Sequence, residues 1–335
     1  MATRQLLGAQ VRTAPEVITL KPWHSIIVGY DGFDQQERVP DLAVSLAEEF
    51  GATLRVVHVL PPRASLAPAA PTVSARELWE SLLEHRRATL DELLDPIRAL
   101  GVDAESALRE GIPHIELIRD AAESKADLLV VVDELTNREG GRSFGATTMK
   151  LLRDCPCPVL AKRSIGRSGY RRIMAAVDVG PEGSPENIPN RAIMDMATEL
   201  ARRNGAELVV LHAWSLWCEQ TLKWRAGIAE VEMEELRAEV QRTQGRYLDE
   251  LLGHYPMDEI AHRIVLTRGL PRHVVPLAIA DHDVDLLVMG TVSRTGIPGF
   301  VIGNTAERIL NSLDCSVVTI KPDGFVSPVL PQNVS

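Results

Sequence analysis

The sequence predicts an α/β fold of two tandem open parallel five-stranded sheets, each flanked by helices, and three observations predict it. Apolar runs of strand length alternate with stretches of helical spacing, an order that leads to parallel pairing through right-handed crossovers. Equivalent residues recur at one offset: Gly111 and Gly269, Asp127 and Asp285, Gly145 and Gly303, and Cys157 and Cys315 each stand 158 apart, the mark of an internal duplication. The length of 335 residues, at roughly 150 per domain, gives the same count of two.

The first half opens with an apolar run from His24 to Asp31, a strand, followed by helical spacing from Val39 to Phe50 that stops at Gly51. Ala52 to Leu60 is a second strand, and Pro61 to Pro71 is a loop rich in proline and alanine. Helical spacing with charged faces runs from Ser74 to Leu100, and a third strand from Ala104 to Arg109. Pro113 suits the first position of a helix because its missing N–H is needed by no partner there. Asp127 to Asp133 is continuously apolar between its carboxylates, as a strand buried on both faces must be. A helix to about Asp154 and a strand from Val159 to Lys162 complete this half, and Arg163 to Arg171, with Gly166, Ser168 and Gly169, reads as a flexible linker.

The second half repeats the order. Strands are expected at Arg172–Asp178, Glu207–Ala213, Ile260–Thr267, Val284–Met289 and Ser316–Ile320, and helices at Asn190–Asn204, about Ile228–Leu252, Leu270–Ala280 and Asn304–Leu313. The segment after Pro322 reads as a loose tail, and the domains as residues 23–164 and 171–323.

Composition excludes several functions. The chain is 45% apolar with 4% aromatic residues, and it holds no apolar stretch near the roughly 20 residues of a membrane span. Its first 22 residues lack the apolar centre of a secretory signal, so a cytoplasmic location is expected. A net charge of -10 removes the electrostatic basis for sequence-independent nucleic-acid binding. Four cysteines, Cys155, Cys157, Cys218 and Cys315, make no disulfide framework in so long a chain, and Cys155 and Cys157 lack a second pair at zinc spacing, so they read as structural thiols.

In an open parallel sheet a ligand sits beyond the carboxyl ends of the strands, where strand order reverses. Three segments converge there in the second half: the first strand ends at Asp178, the second at His212 and Ala213, and the fourth enters a loop from Gly290 to Gly303. Glycines let backbone approach a phosphate, and the helix start at Asn304 and Thr305 offers free N–H groups, so the pattern points to a nucleotide. The blander reading is a tight strand exit at Gly290 and close helix packing at Gly303. The loop is neither a Walker A motif nor the dinucleotide GxGxxG. His58 and His212 read as core or edge histidines, and Trp214, Trp217 and Trp224 as sheet-covering residues. His282, Asp283 and Asp285 invite a metal, but Asp285 lies at a strand entry, opposite the ligand end. No nucleophile, base and orienting group fall together in any motif, so no catalytic residue is assigned.

The stretch VDLLVMGTVSRTGIPGFVIGNTAERILNSLDCSVVTIKPD, with GLPRHVVPLA before it and RIMAAVD at the start of its half, resembles the fourth strand, glycine loop, helix and fifth strand of universal stress proteins. Over about residues 23–323 the chain resembles their tandem, E-type members. The resemblance implies a nucleotide-binding, Rossmann-like fold in each half, paired as an internal pseudo-dimer through the last strands, Pro158–Lys162 and Ser316–Ile320. Nucleotide-binding members carry Gly, two residues, Gly, nine residues, Gly and then Ser or Thr. By position these fall on Gly290, Ser293, Gly303 and Asn304, so two of the four depart from the pattern. Asp178 matches the nucleoside-contacting acid, and Ala213 the backbone position after the strand-two histidine. In the first half Asp31 and Val59 match those places, but Val132 and Leu135 stand at glycine positions and only Gly145, followed by Ala146, is kept.

The expectation is a stress-response binding protein with an ATP site, taking Mg2+, in the C-terminal half, formed by Asp178, Ala213, Gly290, Ser293, Gly303, Asn304 and Thr305. A second reading places another small molecule there, a nucleotide-sugar or an apolar metabolite, because Val132, Leu135 and Phe300 make the loops greasy. A slow ATP hydrolase ranks third. The tandem chain could itself pair as a homo-oligomer.

Overall fold

The computed structural model describes residues 23–31, 39–63, 75–133, 143–163, 169–181, 184, 187–216, 219, 221–222, 228–291 and 303–330. The first half runs β1 (Ser25–Tyr30), α1 (Asp41–Phe50), β2 (Thr53–Leu60), α2 (Ala75–Ala99), β3 (Ala104–Glu110), α3 (Pro113–Glu123), β4 (Leu128–Asp133), α4 (Ala146–Asp154) and β5 (Val159–Arg163). The second runs β6 (Arg172–Val177), α5 (Asn187–Asn204), β7 (Glu207–Trp214), α6 (Glu230–Leu252), β8 (His262–Arg268), α7 (Pro271–Asp281), β9 (Leu286–Gly290), α8 (Asn304–Leu310) and β10 (Ser316–Ile320).

The strands form one sheet in the order β3-β2-β1-β4-β5-β10-β9-β6-β7-β8. Eight of its nine junctions are parallel. Between β5 and β10 the pairing is antiparallel, with Val317 opposite Ala161, Val318 opposite Leu160 and Thr319 opposite Val159. The two expected five-stranded sheets are therefore joined through their last strands, and the halves are related by a pseudo-twofold axis. Buried side chains make two continuous layers: α1, α2, α5 and α6 cover one face, and α3, α4, α7 and α8 cover the other. Across the axis Arg203 of α5 bonds Glu49 of α1 and stacks over Phe50 at 4.5 Å, while Arg153 of α4 bonds Glu307 of α8.

Two duplicated devices fix local geometry. Gly111 and Gly269 have φ of 149° and 150°, and a Cβ at either would collide with Glu116 or Val274, so glycine is required at the turn into α3 and α7. Pro113 and Pro271 follow as first helical residues. Asp127 accepts the backbone N–H groups of His24 and Ser25 at 2.7 and 3.1 Å, and Asp285 accepts those of Arg171 and Arg172 at 2.8 and 3.0 Å. These carboxylates start the central strand of each half; Asp285 also lies opposite the ligand end.

Most boundaries shift by a residue or two from expectation and helix α5 starts three residues earlier, at Asn187; three of the shifts have a plain physical reason. Arg163 is the last residue of β5 and is buried, because its guanidinium finds the Asp133 carboxylate and the Leu313 carbonyl while its backbone N–H donates to the Ser316 hydroxyl, so the linker begins after it. Helix α8 ends at Leu310, where the backbone N–H and hydroxyl of Ser312 both donate to the carbonyl of Ile309. Strand β8 starts at His262, after a 3-10 turn at Met257–Glu259 that holds the Ile260 N–H.

Replacing Asp285 with alanine strands two backbone donors at the start of β6 and is expected to cost about 1–3 kcal/mol. Asp285→Asn, which keeps an acceptor oxygen, should lose less. Urea unfolding midpoints check both, and an unchanged midpoint for the alanine variant contradicts the assignment.

Candidate functional site

The switch point of the second half lies between β6 and β9, which are neighbours although their onward connections leave in opposite directions. The last registered pairs there are Val177 with His212 and Ala176 with Met289. One residue beyond them Ala213 stands beside Asp178 and Gly290 beside Val177, so Asp178, Ala213 and Gly290 lie within one residue of level near the carboxyl ends of three adjacent strands. At about 4.8 Å between strands, they span about 10 Å. Asp178 is exposed, and Ala213 and Gly290 are half-buried.

Asn190, which the sequence reading passed over as a helix start, positions Asp178. Its side-chain oxygen accepts the Asp178 N–H at 2.9 Å and its amide donates to the Asp178 carbonyl at 2.8 Å. It is 2% exposed, so the bend out of β6 is held from within the protein. His212 accompanies it, with Nδ1 at 3.1 Å from the Val177 carbonyl and Nε2 at 2.9 Å from Gln244 Oε1. His58 makes the matching contact with the Tyr30 carbonyl at 2.9 Å, and burial lowers its pKa. Both histidines tie strand ends together. Trp214 is buried at the end of β7; Trp217, Trp224, Leu135, Phe300 and Ser293 lie outside the described residues.

Gly290 has no left-handed backbone, and a Cβ there would lie 3.6 Å from Ile193 Cδ1 and 4.0 Å from the Ile320 carbonyl, ordinary contact distances. Neither a strained strand exit nor the core demands glycine. The loop that follows closes at its neck, where the Gly303 N–H donates to the Thr291 carbonyl at 3.0 Å. Asn304 and Thr305 are exposed in the first turn of α8, and among the described residues their N–H groups find no acceptor.

The first half fills the corresponding place with its own side chains. Asp133 accepts the Gly145 N–H at 2.9 Å and pairs with Arg163 at 3.0 Å. The Arg163 guanidinium stacks 3.8 Å over Phe144 and donates to the Leu313 carbonyl of the other half at 2.9 Å. Asp133, Phe144 and Arg163 are all buried. A carboxylate thus takes the donor that a bound anion would use.

Position 158 beyond Asp133 is Thr291, and 158 beyond Arg163 is Lys321. The Lys321 ammonium donates to the Thr291 hydroxyl and, at 2.7 Å, to the Leu152 carbonyl of the first half. It is 9% exposed, and among the described residues no carboxylate lies within ion-pairing distance. Burial lowers its pKa from 10.5 to about 8. Cys155, Cys157 and Cys315 are free and buried, with the first two sulfurs 3.5 Å apart. Among the described residues no group of three or more His, Cys, Asp or Glu could hold a metal ion, and no helix is long and apolar enough to cross a membrane.

A model of the universal stress protein family matches the chain twice, over residues 22–163 and 169–321. The chain belongs to the universal stress protein family. Universal stress protein E of Photorhabdus laumondii is 27% identical over 237 residues, covering 68% of this chain and 72% of that one. A universal stress protein of Mycobacterium bovis is 26% identical over 310 residues, covering 88% and 94%. Among solved structures, a protein of unknown function from Pseudomonas aeruginosa superposes with a TM-score of 0.67 at 22% identity, covering 90% of this chain and 93% of its own. A universal stress protein from Archaeoglobus fulgidus gives 0.58 at 15%, covering 89% and 98%. These neighbours share the tandem α/β fold.

Because the folded pKa of Lys321 lies below its ordinary value, the unfolded chain binds more protons between about pH 8 and 10.5. The penalty is complete below that window and lifts as pH rises through it, by about 3 kcal/mol at 1.36 kcal/mol per unit. The unfolding free energy of the wild type should therefore gain that amount over Lys321→Met between pH 7 and pH 10.5. Urea titrations at both pH values test it, and a constant difference contradicts the buried, unpaired ammonium.

Proposed function

We propose that this universal stress protein is a stress-response binding protein whose C-terminal half holds an adenine nucleotide, ATP with Mg2+, while its N-terminal half serves as structural partner. The observation that carries this reading is the contrast between the halves at one position. The first sets Val132 and the Asp133–Arg163 pair where the second has Gly290 and Thr291. Asp178 would take the ribose hydroxyls, the Ala213 backbone would face the base, and the phosphates would lie along the loop from Gly290 past Ser293 to Gly303, Asn304 and Thr305. The residues fit the group in part: Gly290 leaves room beside the strand end, and Asn304 supplies a polar side chain where the family carries a hydroxyl. The role is binding rather than fast turnover, since among the described residues no nucleophile with a base beside it accompanies them.

Calorimetric titration with ATP and Mg2+ tests the reading. The wild type should bind saturably, and Asp178→Ala should weaken binding about 10-fold, the loss of one hydrogen bond to a charged group. Gly290→Val, which installs the first half's residue, should abolish binding with little change in thermal midpoint. Absence of saturable binding by the wild type overturns the proposal. A different retained mass in native mass spectrometry would replace ATP with that molecule.

A further inference from the structure

We propose that Cys155 and Cys157 form a modification site, a buried dithiol that hydrogen peroxide converts to a reversible disulfide. Nothing in it depends on a nucleotide being bound. Cys155 caps the end of α4, and Cys157 stands two residues before β5. Pro156 between them has a fixed φ, and the chain bends there. Both side chains thereby come to one place, with their sulfurs 3.5 Å apart and both thiols free. A disulfide holds its sulfurs at about 2.05 Å, so the pair has only about 1.5 Å to close, a distance within reach of side-chain rotation.

The second copy shows that packing does not ask for this pair. The residues 158 further on are Leu313, Asp314 and Cys315. Leu313, 1% exposed, fills the core where the first half has Cys155. An apolar side chain therefore serves at that position, and the first half alone sets two thiols around a proline. Cys315 is the built-in contrast: it is buried, and among the described residues it has no sulfur partner. Burial pushes its thiol up to about 12.

The pair divides the work of oxidation between its members. The hydrogen bond from Cys157 lowers the Cys155 pKa, and the Lys321 ammonium acts in the same direction. The same hydrogen bond, with burial, keeps the proton on Cys157. The Cys155 thiolate attacks one peroxide oxygen; the S–O bond forms as the O–O bond breaks, and the departing hydroxide leaves as water with the proton that Cys155 gave up. The Cys157 sulfur then displaces the sulfenic hydroxyl, which takes the Cys157 proton and leaves as a second water while the S–S bond forms. Two thiols lose two electrons, and peroxide is reduced to two waters. Burial selects this class of oxidant, because peroxide is scarcely larger than water, whereas a bulky disulfide could not bring its own sulfur to thiols this deep.

Trypsin cuts after Arg153 and Lys162, so the peptide Asp154–Lys162 carries both cysteines and neither of the others. The test treats the folded full chain with hydrogen peroxide, alkylates the remaining thiols in denaturant and weighs this peptide. From the wild type it should emerge unalkylated and two hydrogens lighter, revert with dithiothreitol, and oxidise about 10-fold faster than Cys315 in the same molecule. Cys157→Ala should stop at the Cys155 sulfenic acid, trapped by dimedone, and Cys155→Ala should leave Cys157 reduced. Cys315→Ser should oxidise as the wild type does. A wild-type peptide recovered with both thiols alkylated, at a peroxide dose that oxidises the denatured chain, overturns the proposal. Disulfides that join Cys155 or Cys157 to Cys218 or Cys315 overturn it as well. The wild-type measurement decides even where a variant fails to fold.

Discussion

The antiparallel pairing of β5 with β10 is the constraint on which the rest of the molecule depends. Without it each half would end in an open edge built from Val159, Leu160 and Ala161 or from Val317 and Val318, all of them 1% exposed or less in the joined sheet. Such apolar edges are templates for unwanted strand addition. Joining them satisfies their backbone groups and makes each helix-covered core continuous across both halves. Direction matters as much as contact. Because the strands run oppositely, the end of each lies beside the beginning of the other, which brings Arg163 to Ser316 and Leu313, and Lys321 to Leu152. A parallel junction would have set the two basic residues side by side at the same end.

Most of the fold was legible because its signals are local. Strand and helix periodicity, the stop at Gly51 and the prolines at Pro113 and Pro271 each act within a few residues, and the 158-residue offset showed that the architecture occurs twice. The positions of Asp178, Ala213 and Gly290 near strand ends were also readable, since a strand end can be located from the apolar run before it. The Arg163 assignment failed for the opposite reason. A charged residue followed by glycine and serine looks like linker, and the partners that bury it lie as far as 150 residues away. Asn190 was hidden by ambiguity, since asparagine at the expected helix start reads as a cap; helix α5 starts at Asn187 instead, and the Asn190 amide grips the backbone where β6 ends. Thr291 went unread because it is neither glycine nor charged, and its meaning appears only beside Asp133.

That comparison alters what the duplication means. Divergence of the glycine positions alone would say that the first copy lost a site. The structure adds that Asp133 and Arg163 pair within the first half, so that copy contains both charges. A buried ion pair of this kind contributes little net stability against apolar residues of similar size, but removal of either member leaves an uncompensated charge. It therefore locks the first half into one state. The second copy has a cation, Lys321, and a hydroxyl, Thr291, at the two equivalent positions.

A buried cation also connects the halves. The Leu152 carbonyl that receives the Lys321 ammonium belongs to the last residues of α4, a helix whose Arg153 bonds Glu307 of α8. Lys321 and Arg153 thus make two contacts that cross the pseudo-twofold axis beside one helix end. The first half, with Asp133 and Arg163 paired inside it, holds the main-chain oxygen against which the second half's cation is set.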